Sequence, residues 1–301
     1  MAFSARRGTW EGARTLGHGG WSGMAHSDEV FRVVRGFPHL DTVRASIAAL
    51  YRRLSPDGVH RYDTSVAAAD VLVDDVDDTG DGPRLGARRA ARALVRQLRL
   101  PDVRVVVDFR AMEHAASVEL TAGPRYAVEL NDRFRTHRRD IGAALAHEVT
   151  HVLLHRLGLA FPTTAENEIL TDVVTTYLGA GWLLLDAFRQ DGVSGQKLGY
   201  LTPEEFGYVL AKRAEVFGED PSPWFTSAVA YEAWLRGREE AARDWRRPPL
   251  AGAGPIARRR ARATANGVFP CPVCGQRLRV APGRRVRARC GVCRTVLECA
   301  P

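Results

Sequence analysis

Every cysteine of this 301-residue chain lies beyond residue 270. No other feature constrains the fold as much. The preceding residues have no disulfide available and must hold together by burying apolar surface. The end of the chain can recruit a metal instead. Cys271, Cys274, Cys290 and Cys293 form C-x2-C-x15-C-x2-C. Two knuckles of this kind bring four thiolates around one structural zinc. Gly275 follows the first knuckle and Gly291 lies inside the second, where the chain must turn tightly. So small a unit builds no core of its own, so the metal supplies much of its folding energy. Cys299 is left over as a free thiol. A secreted disulfide scaffold would spread its cysteines through the fold. This pairing fits a reducing compartment, and the expected location is the cytoplasm.

The length has room for one large or two small domains. With 45% hydrophobic and 26% charged residues, wholesale disorder is excluded. The longest uncharged apolar run, Val173 to Leu185, lies between Asp172 and Asp186. It is too short to span a bilayer and predicts a buried helix. The first residues carry arginines but no apolar segment, so no secretory signal is expected. Charge is segregated by sign. Residues 245–301 hold thirteen arginines and one acid, Glu298, a net of +12. The whole chain carries +8, which leaves −4 for residues 1–244. A basic tail attracts phosphate backbones or acidic proteins.

Periodicity predicts helices over Asp41–Leu54, Ala87–Leu98 (basic and amphipathic), Arg138–Arg156, Thr164–Phe188 and Pro223–Arg243. Thr202-Pro203-Glu204-Glu205 has the form of a capping box and predicts a further helix toward Val216. Strands are predicted at Val103–Phe109, Ala116–Thr121 and Arg125–Asn131, the last two joined through Gly123-Pro124 as a hairpin.

The first of the two long central helices carries His147-Glu148-Val149-Thr150-His151, an HExxH. Residues i and i+4 share a helix face, so both imidazoles can reach one zinc ion. Glu148 follows the first ligand and can lean toward a water whose pKa zinc lowers to near 7. From there it can take a proton and return it to a leaving amine. A catalytic zinc commonly has three protein ligands and one open position. His155 lies about 12 Å along the helix axis from His147 and cannot share the ion. It is expected to be structural or solvent-facing.

The following helix carries Asn167-Glu168-Ile169-Leu170-Thr171-Asp172. With the HExxH, this pattern resembles the gluzincin metallopeptidases, the thermolysin-like group, which pair HExxH with NExxxD. The resemblance covers Ala146 to Thr176. It implies Glu168 as third zinc ligand and Asp172 as hydrogen-bond partner of a zinc-bound histidine, fixing its tautomer. The chemistry of the helix agrees. Two acids at i and i+4, beside Ile169, Leu170, Val173 and Val174, are expensive without a compensating charge. Glu166 competes for the ligand role, but its i+4 partner is Leu170 and cannot orient a histidine. The family also uses a His or Tyr to stabilise the tetrahedral oxyanion. Tyr177, Tyr200 and Tyr208 are unranked candidates. In the family a strand before the active-site helix runs along the cleft. By that likeness Arg125–Asn131 would line it, with Asn131 near the site.

The sequence thus predicts an α+β chain. A loosely ordered segment (1–38) precedes a mainly helical zincin-like metallopeptidase domain with a small antiparallel sheet (39–245). An Arg/Pro/Ala linker (246–268) and a four-cysteine zinc ribbon (269–301) follow. The expected activity is zinc-dependent peptide hydrolysis with Glu148 as general base. His147, His151 and Glu168 hold one catalytic Zn2+, and the four cysteines hold one structural Zn2+. Partners are a peptide or protein substrate, and nucleic acid or an acidic protein at the basic tail, with no membrane. The rival reading is a regulatory or nucleic-acid-binding zinc protein whose HExxH domain acts on one partner or is non-catalytic.

Overall fold

A computed structural model describes residues 34–73, 82–121, 123–190, 195–196, 198–244, 268–271, 273–274, 276–279 and 286–299. The expectation for residues 1–33 lies outside these, as does most of the predicted linker. Helices α1 (Leu40–Leu54), α2 (Pro56–Val59), α3 (Ala68–Val71) and α4 (Gly82–Gln97) precede a three-stranded sheet of β1 (Arg104–Arg110), β2 (Ala116–Val118) and β3 (Arg125–Asn131). Then come α5 (Ile141–Leu157), α6 (Thr164–Thr175), α7 (Gly181–Asp186), the short pair β4 (Arg189–Gln190) and β5 (Gly195–Gln196), α8 (Pro203–Phe217) and α9 (Ala228–Arg243). The cysteine-bearing end forms β6 (Val268–Pro270) with β7 (Arg277–Arg279), and β8 (Val286–Arg289) with β9 (Val296–Cys299).

The sheet corrects one expectation. It is mixed, not antiparallel: the order is β1-β3-β2, with β1 parallel to β3 and β2 antiparallel to it. The β2–β3 hairpin follows from its local turn, but β1 pairs with β3 across the intervening β2. Tyr126, Val128 and Leu130 alternate inward along β3 and are buried. They meet α5, which also packs on β2, while α4 lies against α5 and β1.

α5 is almost entirely buried because its sequence is apolar nearly all round. It ends where Gly158 takes a left-handed conformation (φ 58) and Leu159 N–H bonds the Leu154 carbonyl, a turn in which glycine carries no Cβ penalty. The helical run from Thr164 to Asp186 is long and apolar enough to cross a membrane by composition, but 94% of its most apolar window is buried in the fold. It is also not one straight rod. Residues 176–180 widen into a π turn at Gly179 (φ 105). A Cβ at that glycine would lie 2.9 Å from the Thr64 carbonyl oxygen, so the break lets the 64–66 segment approach. The predicted capping box at α8 is present, with Thr202 and Glu205 satisfying each other's backbone N–H groups. Its carboxylates also hold residues upstream of α1: Gly36 N–H donates to Glu204, and His39 N–H to Glu205. Residues 34–38, assigned above to the loosely ordered segment, are therefore pinned to the start of α8.

Candidate metal centre

α5 and α6 are joined by a short connection, which sets them side by side with His147, His151 and Glu168 facing one another. His147 Nε2 is 3.0 Å from Glu168 Oε2 and 3.0 Å from His151 Nε2, and His151 Nε2 is 3.4 Å from Glu168 Oε2. On its other side His147 donates from Nδ1 to Asp172 Oδ1 at 2.9 Å. That proton commits the ring to one tautomer, so its Nε2 presents a lone pair. The lone pair points at a carboxylate and at a second imidazole nitrogen, an arrangement that repels unless a proton or a metal cation lies between. Metal–ligand bonds of about 2.0–2.1 Å in a tetrahedral site set ligand atoms roughly 3.3 Å apart. The observed separations fit that spacing, and these three residues could hold a metal ion.

In the absence of an ion, a proton on His147 can take that place. Burial disfavours a charged His147, but hydrogen bonds to Asp172 and then Glu168 outweigh it, so its pKa lies well above the ordinary value. Burial likewise raises Glu168, but its hydrogen bonds to His147 and His151 hold it far below the usual carboxylate range. Glu148 makes no such pair. Burial pushes its pKa up, against the pull of His151 and His147. It lines a cleft of about 460 Å³ together with the three ligand candidates. A buried carboxyl with a raised pKa lining a cleft is able to accept and release a proton.

Glu166 is elsewhere. Its carboxylate closes a capping box with Thr163 at the start of α6, and this removes it from the competition with Glu168. Thr163-x-x-Glu166 was legible as a capping signature. His155 is exposed and lines the cleft one turn beyond His151. Tyr177 bonds Tyr51 in the core at 2.8 Å, and Tyr208 donates to Asp244 at 2.6 Å. Only Tyr200 among the three tyrosines lies in the field of the site. Burial, then Glu168, Asp172 and Glu148, raise its phenol pKa.

The strand beside the cleft also differs from expectation. β3 has both edges occupied, by β1 and β2, so it cannot pair with a further strand, and none of its residues lines the cleft. The cleft wall is β2, through Ala116, Ser117 and Val118. Asn131 acts at one remove: its amide donates to the carbonyls of Met112 and His114, shaping the loop that enters β2.

Two contributors were missed. Thr171 Oγ1 lies 3.3 Å from His151 Nδ1 and is placed to orient that ring. Gly199 (φ +99) passes so close to Asp172 that a Cβ there would lie 2.7 Å from Oδ2. The approach lets Tyr200 and Leu201 N–H donate to the same carboxylate. A helical i+3 step from Glu168 was available as a signal for Thr171. None existed for Gly199, which depends on a loop returning from 28 residues away.

The four cysteines of the knuckles are buried and cluster within 4.8 Å of one another. Cys271 and Cys293 sulfurs are 3.4 Å apart, and Cys274 and Cys290 3.5 Å, far beyond the roughly 2.05 Å of a disulfide. Four thiolates around a divalent ion carry a net charge of about −2, and the body meets this end with cations. Arg61 donates to the Cys271 carbonyl, Arg99 to the Val273 carbonyl, and Arg156 to that of Val292. Tyr62 adds a bond to the Cys274 carbonyl. No protein-family model, no curated protein and no solved structure matches this chain.

Proposed function

We propose that the chain is a zinc-dependent peptidase of gluzincin type with a zinc ribbon docked on its body. The observation that carries this reading is the convergence of His147, His151 and Glu168 within 3.0–3.4 Å, with Asp172 fixing the His147 tautomer. Two nitrogens and one carboxylate are a ligand set that suits zinc and leaves one position open. Held by His147, His151 and Glu168, such an ion would supply Lewis acidity, polarising a carbonyl and lowering the pKa of a water to near 7. Glu148 accepts a proton from water in the cleft and passes it to the departing amine, a task its raised pKa favours. The edge of β2 that is unpaired among the described residues offers backbone donors and acceptors to an extended peptide. Tyr200, whose phenol pKa is raised by burial and then by Glu168, Asp172 and Glu148, is the candidate donor to the developing oxyanion. Unpaired thiols in the ribbon set this activity in a reducing compartment.

Glu148→Gln tests the role of the base. It should retain both metals and lower the cleavage of a quenched peptide library by at least about 10²-fold. Cleavage at the wild-type rate would remove Glu148 from the chemistry.

A further inference from the structure

α4 carries a row of arginines that nothing else in the described fold uses. Arg88, Arg92 and Arg96 are exposed and lie four residues apart on one face, so they form a line about 12 Å long in steps of about 6 Å. Arg104 and Arg125 are exposed and directly paired in the parallel β1–β3 register. Like charges side by side on a sheet are destabilising unless an anion joins them. Among the described residues, none of these five arginines has a carboxylate partner. Arg84, earlier on the same helix, shows the contrast, with Asp108 at 2.9 Å.

Arg92, Arg96, Arg104 and Arg125 line a groove of about 840 Å³ along the edge of β1 that is free among the described residues. Its floor is aliphatic (Val95, Leu100, Val103), and the cysteine module closes one end through Val273. Among the described residues, no acid lines it. No aromatic is present there to stack an unpaired base, and no hydroxyl or amide side chain to read base edges or a ribose 2′-OH. What remains is planar guanidinium groups, the side chain best matched to phosphate oxygens. Residues 1–244 carry a net charge of −4, so this arginine face stands against an acidic background within that part of the chain.

We propose that the arginine-lined groove between α4 and the free edge of β1 docks the phosphate backbone of duplex DNA without sequence preference. It is separate from the HExxH cleft, and its test does not depend on hydrolysis. Five phosphate contacts give a slope of log K against log salt of about −4.5 from this face alone.

The test is fluorescence anisotropy of the full-length, metal-loaded chain with a labelled duplex over a salt series. Duplex RNA, single-stranded DNA and polyglutamate serve as competitors. Arg88→Ala/Arg92→Ala/Arg96→Ala sits on exposed helix positions where alanine is well tolerated. It should weaken binding about 10²–10³-fold at 0.1 M salt and reduce the slope by about 2.7. Arg104→Ser/Arg125→Ser, off the helix, should reduce the slope by about 1.8. Arg287→Ala/Arg289→Ala, on the cysteine module, should leave most of the affinity in place. Wild-type affinity and slope in both groove variants would overturn the proposal. So would polyglutamate, duplex RNA or single-stranded DNA competing better than duplex DNA.

Discussion

Asp172 is the residue on which the site geometry turns. It is fully buried and accepts from His147 Nδ1, Tyr200 N and Leu201 N. It therefore ties the ligand helix to the loop that brings in Tyr200. Asp172→Asn keeps the shape but replaces one acceptor oxygen with a donor, so the His147 ring loses its fixed tautomer. Metal affinity at the histidine site should fall by about 10–100-fold, measured by chelator competition, while the cysteine site keeps its affinity. An unchanged histidine site would show that Asp172 does not orient the ring. Much of this centre was legible because its geometry is local. His147 and His151 share a helix face by spacing alone, whereas Glu166, read from sequence as a competing ligand, proves to be a cap. Gly199 and the ranking of the tyrosines were not legible. They depend on which loop returns to α6, which no helical period encodes.

At the scale of elements, α8 and α9 approach more closely than any side chain would allow. A Cβ on Gly237 would lie 2.1 Å from the Gly207 carbonyl carbon and 2.2 Å from Tyr208 N. Those are backbone atoms and cannot swing aside. Gly→Ala in an exposed helix stabilises by up to about 1 kcal/mol. Here the overlap wins, and Gly237→Ala should lower stability by about 1–3 kcal/mol, read as a lower Tm. A raised Tm would mean the helices separate at no cost. The same helix pair is fastened at the α9 end, where Asp244 accepts from Arg44 of α1 at 2.7 Å and from Tyr208 of α8. Burial alone would raise the Asp244 pKa, but Tyr208 and then Arg44 bring it below the ordinary value. A carboxylate depressed in the folded state stabilises above its unfolded pKa, near 3.9, and loses that contribution as pH falls through the folded value. The stability gap between wild type and Asp244→Asn should be constant from about pH 5 to 8 and narrow below about pH 4. A gap unchanged at pH 3 would assign the effect to packing. Elements with a local signature (the capping box of α8, the β2–β3 hairpin) were readable. The parallel β1–β3 pairing and the π turn at Gly179 were not, because their partners lie far away in sequence.

Across the whole molecule, α5 links the two clusters that could hold metal ions. Its middle carries His147 and His151. Near its end Arg156 grips Asp102 at 2.6 and 3.2 Å, meets Tyr126 Oη at 3.1 Å and donates to the Val292 carbonyl of the cysteine module. The basic end of the chain, which in the sequence reads as a separate tail, is thus fastened to the body through its knuckles. On the proposed reading, two rings from α5 and one carboxylate from α6 hold a single cation, independently of the four thiols. Zinc content per chain tests it most directly. The wild-type protein should carry two ions, and His147→Ala/His151→Ala should carry one, retained by the cysteines. A wild-type chain with a single ion, or a double variant that still holds two, would contradict it.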